Sequence, residues 1–286
     1  MQKQVLVTVS DDLSSLYGVR FIRSFFKSKS AMKISLLYVS PIIDPAVRNS
    51  TDHSRVDRKT AEGYRKRGQQ AMDAAREVLT AGGYSPELIE CKFMHKQHGT
   101  VKDIINEGKK GLYDAVVVGR RGFTLLEDFV SQSVSKGILG SQVDFPIWVC
   151  RMPEEQRRNV LLSVDGSEPS LRIADHVGFM LKEETNHSIT IMHVDTGNGG
   201  SIDSMLEQAR ATLVANGIGE ERIDTSVVRS NRVVPSILSE VEKKSYAILA
   251  VGRVGVHKSA IKQWLVGSTS MKLVEELDKA VLWVSK

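Results

Sequence analysis

Three short stretches in the second half of the chain carry residue types that can hold a phosphorylated ligand. "DGS" (Asp165, Gly166, Ser167) and "GRVG" (Gly252, Arg253, Gly255) each follow an apolar run, and Gly267, Ser268 and Thr269 open the helical pattern "GSTSMKLVEEL". Glycine lets a phosphate approach the backbone and frees amides to donate to it. A helix start with unpaired amides and small hydroxyls attracts anions. The same glycines also suit tight strand-to-helix turns, so residue types alone leave binding and plain turn chemistry both open. No nucleophile, base and orienting group can be assembled, because the Ser, His and Asp residues fall in no hydrolase pattern; no catalytic residue is assigned. His193, inside an apolar run, reads as a hydrogen-bonded core histidine. His95 and His98 have no third ligand nearby, so no metal site is assigned. Asp11 and Asp12, ahead of a helical pattern, are expected to cap it.

The elements that must position these residues occur twice. "VLVTVSDDLSS" near the start answers "VLLSVDGSEPS", "YDAVVVGRRGF" answers "YAILAVGRVGV", and "PIWVC" answers "AVLWVS". A repeat this long means two domain-sized copies rather than a solenoid. Ser10 matches Asp165 and Val39 matches Val194 at an offset of 155, whereas Gly119 and Gly122 match Gly252 and Gly255 at 133. The first copy therefore carries an extra segment, at about 41–61, expected to be a loop plus a lengthened helix start, with Pro41 and Pro45 against helix at its beginning. Each copy alternates β-rich runs with helical patterns. Several of the runs are almost continuously apolar, as strands covered on both faces are. The order predicts two tandem doubly wound α/β domains, each a five-stranded mainly parallel sheet with helices on both faces. The boundaries read as 1–150, a polar linker at 151–158, and 159–286. In such a sheet ligands bind beyond the carboxyl ends of the strands where the winding reverses. The residues after the first and fourth strands of each copy should line that crevice.

Composition narrows the function classes. The chain has 286 residues, 41% apolar and 26% charged, as ordinary globular proteins do. No apolar run is long enough to span a bilayer. The N-terminus lacks a signal-peptide pattern, and two cysteines fit a reducing compartment, so a cytoplasmic location is expected. Cys91 and Cys150 read as buried structural thiols. Residues 1–150 hold 22 Lys+Arg against 16 Asp+Glu, while 151–286 hold 17 against 18. The excess lies mostly in "RVDRKTAEGYRKRGQQ", which reads as a solvated helix face in preference to a nucleic-acid site.

"VDGSEPS" after the first strand of the second copy, "MHV" ending its second strand, and the glycines near its last helix resemble the universal stress protein family. The chain looks like a tandem member, with two copies covering essentially all of it. In the family's nucleotide-binding members the glycine motif is G-x-x-G, nine residues, then G-[S/T]. The second copy keeps Asp165, Gly252, Gly255, Gly267 and Ser268, with eleven residues in place of nine. The first copy keeps Gly119, Gly122 and the spacing, but Gln132 replaces the third glycine ahead of Ser133, and Ser10 replaces the aspartate. The resemblance implies an adenine nucleotide, ATP or another, with or without Mg2+, held by the second copy. Asp165 would take the ribose or adenine side and Val194 would offer backbone groups to the base. Gly252, Gly255, Gly267, Ser268 and Thr269 would wrap ribose and phosphates. A degenerate first site would comprise Ser10, Val39, Gly119, Gly122, Gln132 and Ser133. The implied function is a regulatory stress-response module without catalysis. The alternatives are an interaction protein with both sites vestigial and a slow ATPase. The resemblance also implies pairing of "PIWVC" with "AVLWVS" in an internal pseudo-dimer, and it leaves open a further homodimer and an unidentified protein partner.

Overall fold

The computed structural model describes residues 2–12, 16–41, 54–119, 143, 145–197, 201–252 and 268–285. All ten expected strands are present: β1 Lys3–Val9, β2 Met32–Ser40, β3 Ile89–His95, β4 Ala115–Gly119, β5 Ile147–Cys150, β6 Arg158–Ser163, β7 Ile189–Asp195, β8 Ile223–Arg229, β9 Tyr246–Gly252 and β10 Val281–Ser285. The described helices are α1 Tyr17–Phe25, α2 Ser54–Ala81, α3 Thr100–Lys110, α4 Glu168–Leu181, α5 Ile202–Ala215, α6 Val233–Lys243 and α7 Ser268–Glu276. Gly122, Gln132, Ser133, Arg253, Gly255, Gly267 and most of the extra segment lie outside the described residues. Among the described residues no helix is long and apolar enough to cross a membrane.

The strands form one sheet in the order β3-β2-β1-β4-β5-β10-β9-β6-β7-β8. Every neighbouring pair is parallel except β5 with β10, which run antiparallel with Trp148 opposite Trp283. The pairing of "PIWVC" with "AVLWVS" is therefore present, and it merges two five-stranded halves into one ten-stranded sheet. In each half the chain winds outward through three strands and then returns to the inner side. The direction thus reverses between β1 and β4, and again between β6 and β9.

Alternate residues of the strands feed two cores, one on each face. Val5, Val7, Ile34, Leu36, Val160, Leu162, Ile189 and Ile191 pack with α1, α2, α4 and α5, while Leu6, Leu37, Val116, Leu161 and Leu249 pack on the opposite face with α3, α6 and α7. The inner strands are buried on both faces, as their unbroken apolar runs require, whereas the edge strands β3 and β8 are exposed or half-buried at every position after their first. Cys150 is buried, but Cys91 is exposed, contrary to expectation, because it stands on edge strand β3, where one face of the ladder is open. Burial drives the Cys150 thiol far above its ordinary range.

The seam between the halves is aromatic and asymmetric. Trp148 and Trp283 stack at 4.2 Å with 6° between their planes, and Phe26 stacks on Trp148 at 5.7 Å. Trp148 Nε1 donates to Nε2 of buried His176 on α4 at 3.0 Å. Beside this cluster, buried Glu184 accepts from the backbone amides of Lys27 at 2.7 Å and Ser28 at 2.9 Å. Residues 27–29 and 182–184 are equivalent in the repeat, so like turns meet near the pseudo-two-fold. At the position equivalent to Glu184, Lys29 instead donates from Nζ to the Arg23 carbonyl. Arg23 adds a two-pronged contact to Glu155, at 2.9 and 2.7 Å.

Candidate functional site

Three adjacent strands bring the second copy's residues together. In the order β9-β6-β7, Gly252 closes β9, Asp165 stands two residues past the end of β6, and Val194 is the penultimate residue of β7. Their levels agree, since Ser163 pairs with both Val251 and Met192, and the Val164 amide donates to the Met192 carbonyl at 2.9 Å. The crevice at the second reversal point is thus edged by Asp165, Val194 and Gly252. Asp165 is exposed. Its Oδ1 accepts from the Ser167 amide at 3.0 Å and the Ser167 hydroxyl at 2.6 Å, a local turn that fixes the carboxylate at the mouth. Gly166 has φ of +77°, a conformation that side-chain-bearing residues adopt only under strain, and it faces Met205 of α5. Ser167 is the N-cap of α4, and its Oγ accepts from the Ser170 amide at 3.4 Å. This is the expected use of a serine before a helix.

Gly252 has a structural reason of its own. A Cβ there would lie 2.8 Å from both the Pro169 carbonyl carbon and the Ser170 nitrogen, so the start of α4 rests directly on the end of β9. Ser268 and Thr269 are the first described residues of α7. His193 is buried and its Nδ1 lies 2.9 Å from the Val164 carbonyl, the hydrogen-bonded core position expected of it.

The first copy's crevice is built differently. Gly119 closes β4, and Val39 is the penultimate residue of β2. Ser10 follows β1, and its Oγ accepts from the Asp12 amide at 3.3 Å. Asp11 does not cap α1, whose N-cap is Leu16 without a side-chain bond. It accepts instead from the Tyr38 hydroxyl at 2.7 Å and lies 3.8 Å from the Arg67 guanidinium of α2. Burial, with the bond to Asp11, pushes the Tyr38 hydroxyl up to about 12. Tyr38 stacks on Phe93 at 5.6 Å, and Gly68 of α2 fits against both rings. The repeat equivalents of Asp11 and Tyr38 in the second copy are Gly166 and His193, so this network has no counterpart there. Residue-type reasoning missed the Asp11–Tyr38–Arg67 cluster. Its signal was the change from Gly166 to Asp11 in the aligned repeat. His95 Nδ1 meets the Ser40 hydroxyl at 3.0 Å, while the His98 amide is bound by Asp103, so the two histidines serve separate local contacts.

Residues 156–285 match the model of the Universal stress protein family. A universal stress protein from Archaeoglobus fulgidus DSM 4304 has a similar structure over 99% of this chain and 98% of its own, with 17% identity and a TM-score of 0.68. A functionally unknown protein from Pseudomonas aeruginosa PAO1 is similar over 100% of this chain and 92% of its own, with 12% identity and a TM-score of 0.53. At these identities the likeness is one of fold. A universal stress protein solved in complex with cAMP matches 45% of this chain and 96% of its own, with 21% identity and a TM-score of 0.37; the cAMP is a property of that protein. No curated protein matches this chain.

Proposed function

We propose that this chain is a tandem universal stress protein of the cytoplasm whose second copy binds one adenine nucleotide as a regulatory ligand. The copies span 1–150 and 159–286, joined through residues 151–158, although β6 already begins at Arg158. The observation that carries the reading is the convergence of Asp165, Val194 and Gly252 on one edge of three adjacent strands at a reversal point, within the stretch that matches the family model. Only Oδ1 of Asp165 is engaged by Ser167, which leaves Oδ2 to accept from a ribose hydroxyl. The backbone of Val194 borders the place where a base would lie. The start of α7 at Ser268 supplies helix amides for a phosphate. Gly255 and Gly267 complete the proposed cradle, and ATP, with or without Mg2+, fits its chemistry.

The first copy is proposed to bind no nucleotide. Asp11, Tyr38 and Arg67 engage one another at its mouth, and Gln132 replaces a cradle glycine. A second reading, an interaction module without nucleotide, is favoured by Gly252, whose missing side chain is already accounted for by α4 packing. Denaturing the purified protein and chromatographing the released small molecules separates the two. Adenine nucleotide at about one per chain supports the proposal. Its absence, together with no uptake of added ATP, supports the interaction module.

A further inference from the structure

The N-terminal half of α2 has no equivalent in the helix of the second copy. α2 has 28 residues, whereas its repeat counterpart α5 has 14. Its described buried positions begin at Gly68 and continue through Met72, Ala75 and Leu79. Gly68 meets Tyr38 and Phe93, near the carboxyl ends of β2 and β3, and Arg67 meets Asp11, just past β1. Residues 54–67 therefore add about 20 Å of helix, at 1.5 Å per residue, ahead of the part that packs on the sheet. A helix this short is marginal alone in water, so it persists as a continuation of the packed part.

The extension is strongly basic. Residues 54–67 hold six Lys+Arg against two Asp+Glu. Lys59, Arg65 and Lys66 are exposed and form no ion pair with a described acid, whereas Arg67 reaches Asp11. The counterpart α5 shows no such excess, with Asp203 and Glu207 against Arg210. A basic run reads by default as a solvated face, but a solvated face needs no helix carried past its own core. Val56, Ala61 and Tyr64 supply too little apolar surface for insertion into a lipid interface. A second copy of this chain, with its net charge of +5, is a poor complement.

We propose that the exposed basic residues of α2, Lys59, Arg65 and Lys66 foremost, dock the phosphodiester backbone of a nucleic acid without regard to sequence. Exposed Lys and Arg on one helix can each neutralise a phosphate and release its counterion. This role is separate from the nucleotide crevice of the second copy and stands or falls without it.

The test is fluorescence anisotropy of the full chain with a labelled duplex DNA of about 20 base pairs, across about 50 to 200 mM salt. The expected result is binding whose logarithm falls with log salt at a slope of about −2 to −4. The triple variant Lys59→Gln, Arg65→Gln, Lys66→Gln keeps helix-compatible residues, and an unchanged far-UV circular dichroism spectrum checks its fold. It should flatten the slope by about 2 to 3 and weaken low-salt binding at least tenfold. A single-stranded RNA in parallel identifies which nucleic acid is preferred. Absence of binding at low salt, equal affinity of variant and parent, or equal binding to polyglutamate of opposite charge pattern to the helix would each overturn the proposal.

Discussion

Gly166 and Gly252 both edge the second crevice, yet they answer to different constraints. Gly166 is set by its backbone, with φ of +77°, whereas Gly252 is set by space, because α4 lies against it. A methyl group at 252 would have to displace main-chain atoms of Pro169 and Ser170 and not a flexible side chain. Gly252→Ala should therefore destabilise the protein by about 1–3 kcal/mol whether or not ligand is present. Urea unfolding in the absence of nucleotide measures this, and an unchanged midpoint would show that the close approach is not binding on the fold. For the same reason Gly252 is a poor probe of ligand contact, and Asp165 is the better one: it is exposed and holds only its own turn.

At the scale of elements, most of the architecture was legible because it is written twice. Strands such as "SITIMHV" and "AILAVG" announced themselves by continuous apolar runs, and all ten appear. Helix starts were less legible. Asp11 was expected to cap α1, but a tyrosine 27 residues away claims its carboxylate, a long-range contact with no local signature. Cys91 was misjudged because the order of strands, and so which one lies at the edge, is not contained in the composition of a single strand. Helix ends add a case that only the backbone reveals. Leu112, just past α3, has φ of 50°, and its repeat equivalent Ser245, just past α6, has φ of 51°. That left-handed position ordinarily favours glycine. Leu112 is also 86% exposed and gives up almost no packing if removed. Leu112→Gly should stabilise the protein by about 0.5–1 kcal/mol, the left-handed penalty less the extra entropy of glycine. A lower thermal midpoint for the variant would contradict this.

At the scale of the molecule, the seam ties the two halves through a neutral histidine. Burial lowers His176 from 6.5 to about 3, and Nε2 must stay unprotonated to accept from Trp148. Burial lowers His187, stacked on Phe25 at 4.0 Å, in the same direction. In the unfolded chain both take up protons near the ordinary histidine value. Between that value and the folded one the unfolded state binds more protons, so stability is full above about pH 6.5 and falls as the pH drops toward 3. Each such histidine contributes at most about 1.4 kcal/mol per pH unit in that window. His176→Gln, which retains an acceptor for Trp148, should show a shallower loss of stability between pH 6.5 and 4 than the parent, by up to that amount per unit. Parallel pH profiles for the two proteins would contradict the role given to His176. Two like halves joined at such a seam raise the central question of how many ligands they hold. Equilibrium dialysis of the nucleotide-free chain against ATP, repeated with Asp165→Ala, answers it most directly. One ATP per chain is expected for the parent, with at least a tenfold weaker affinity, a loss of about 1.4 kcal/mol, for the variant. No binding, two per chain, or one per chain with Asp165→Ala unaffected would contradict this.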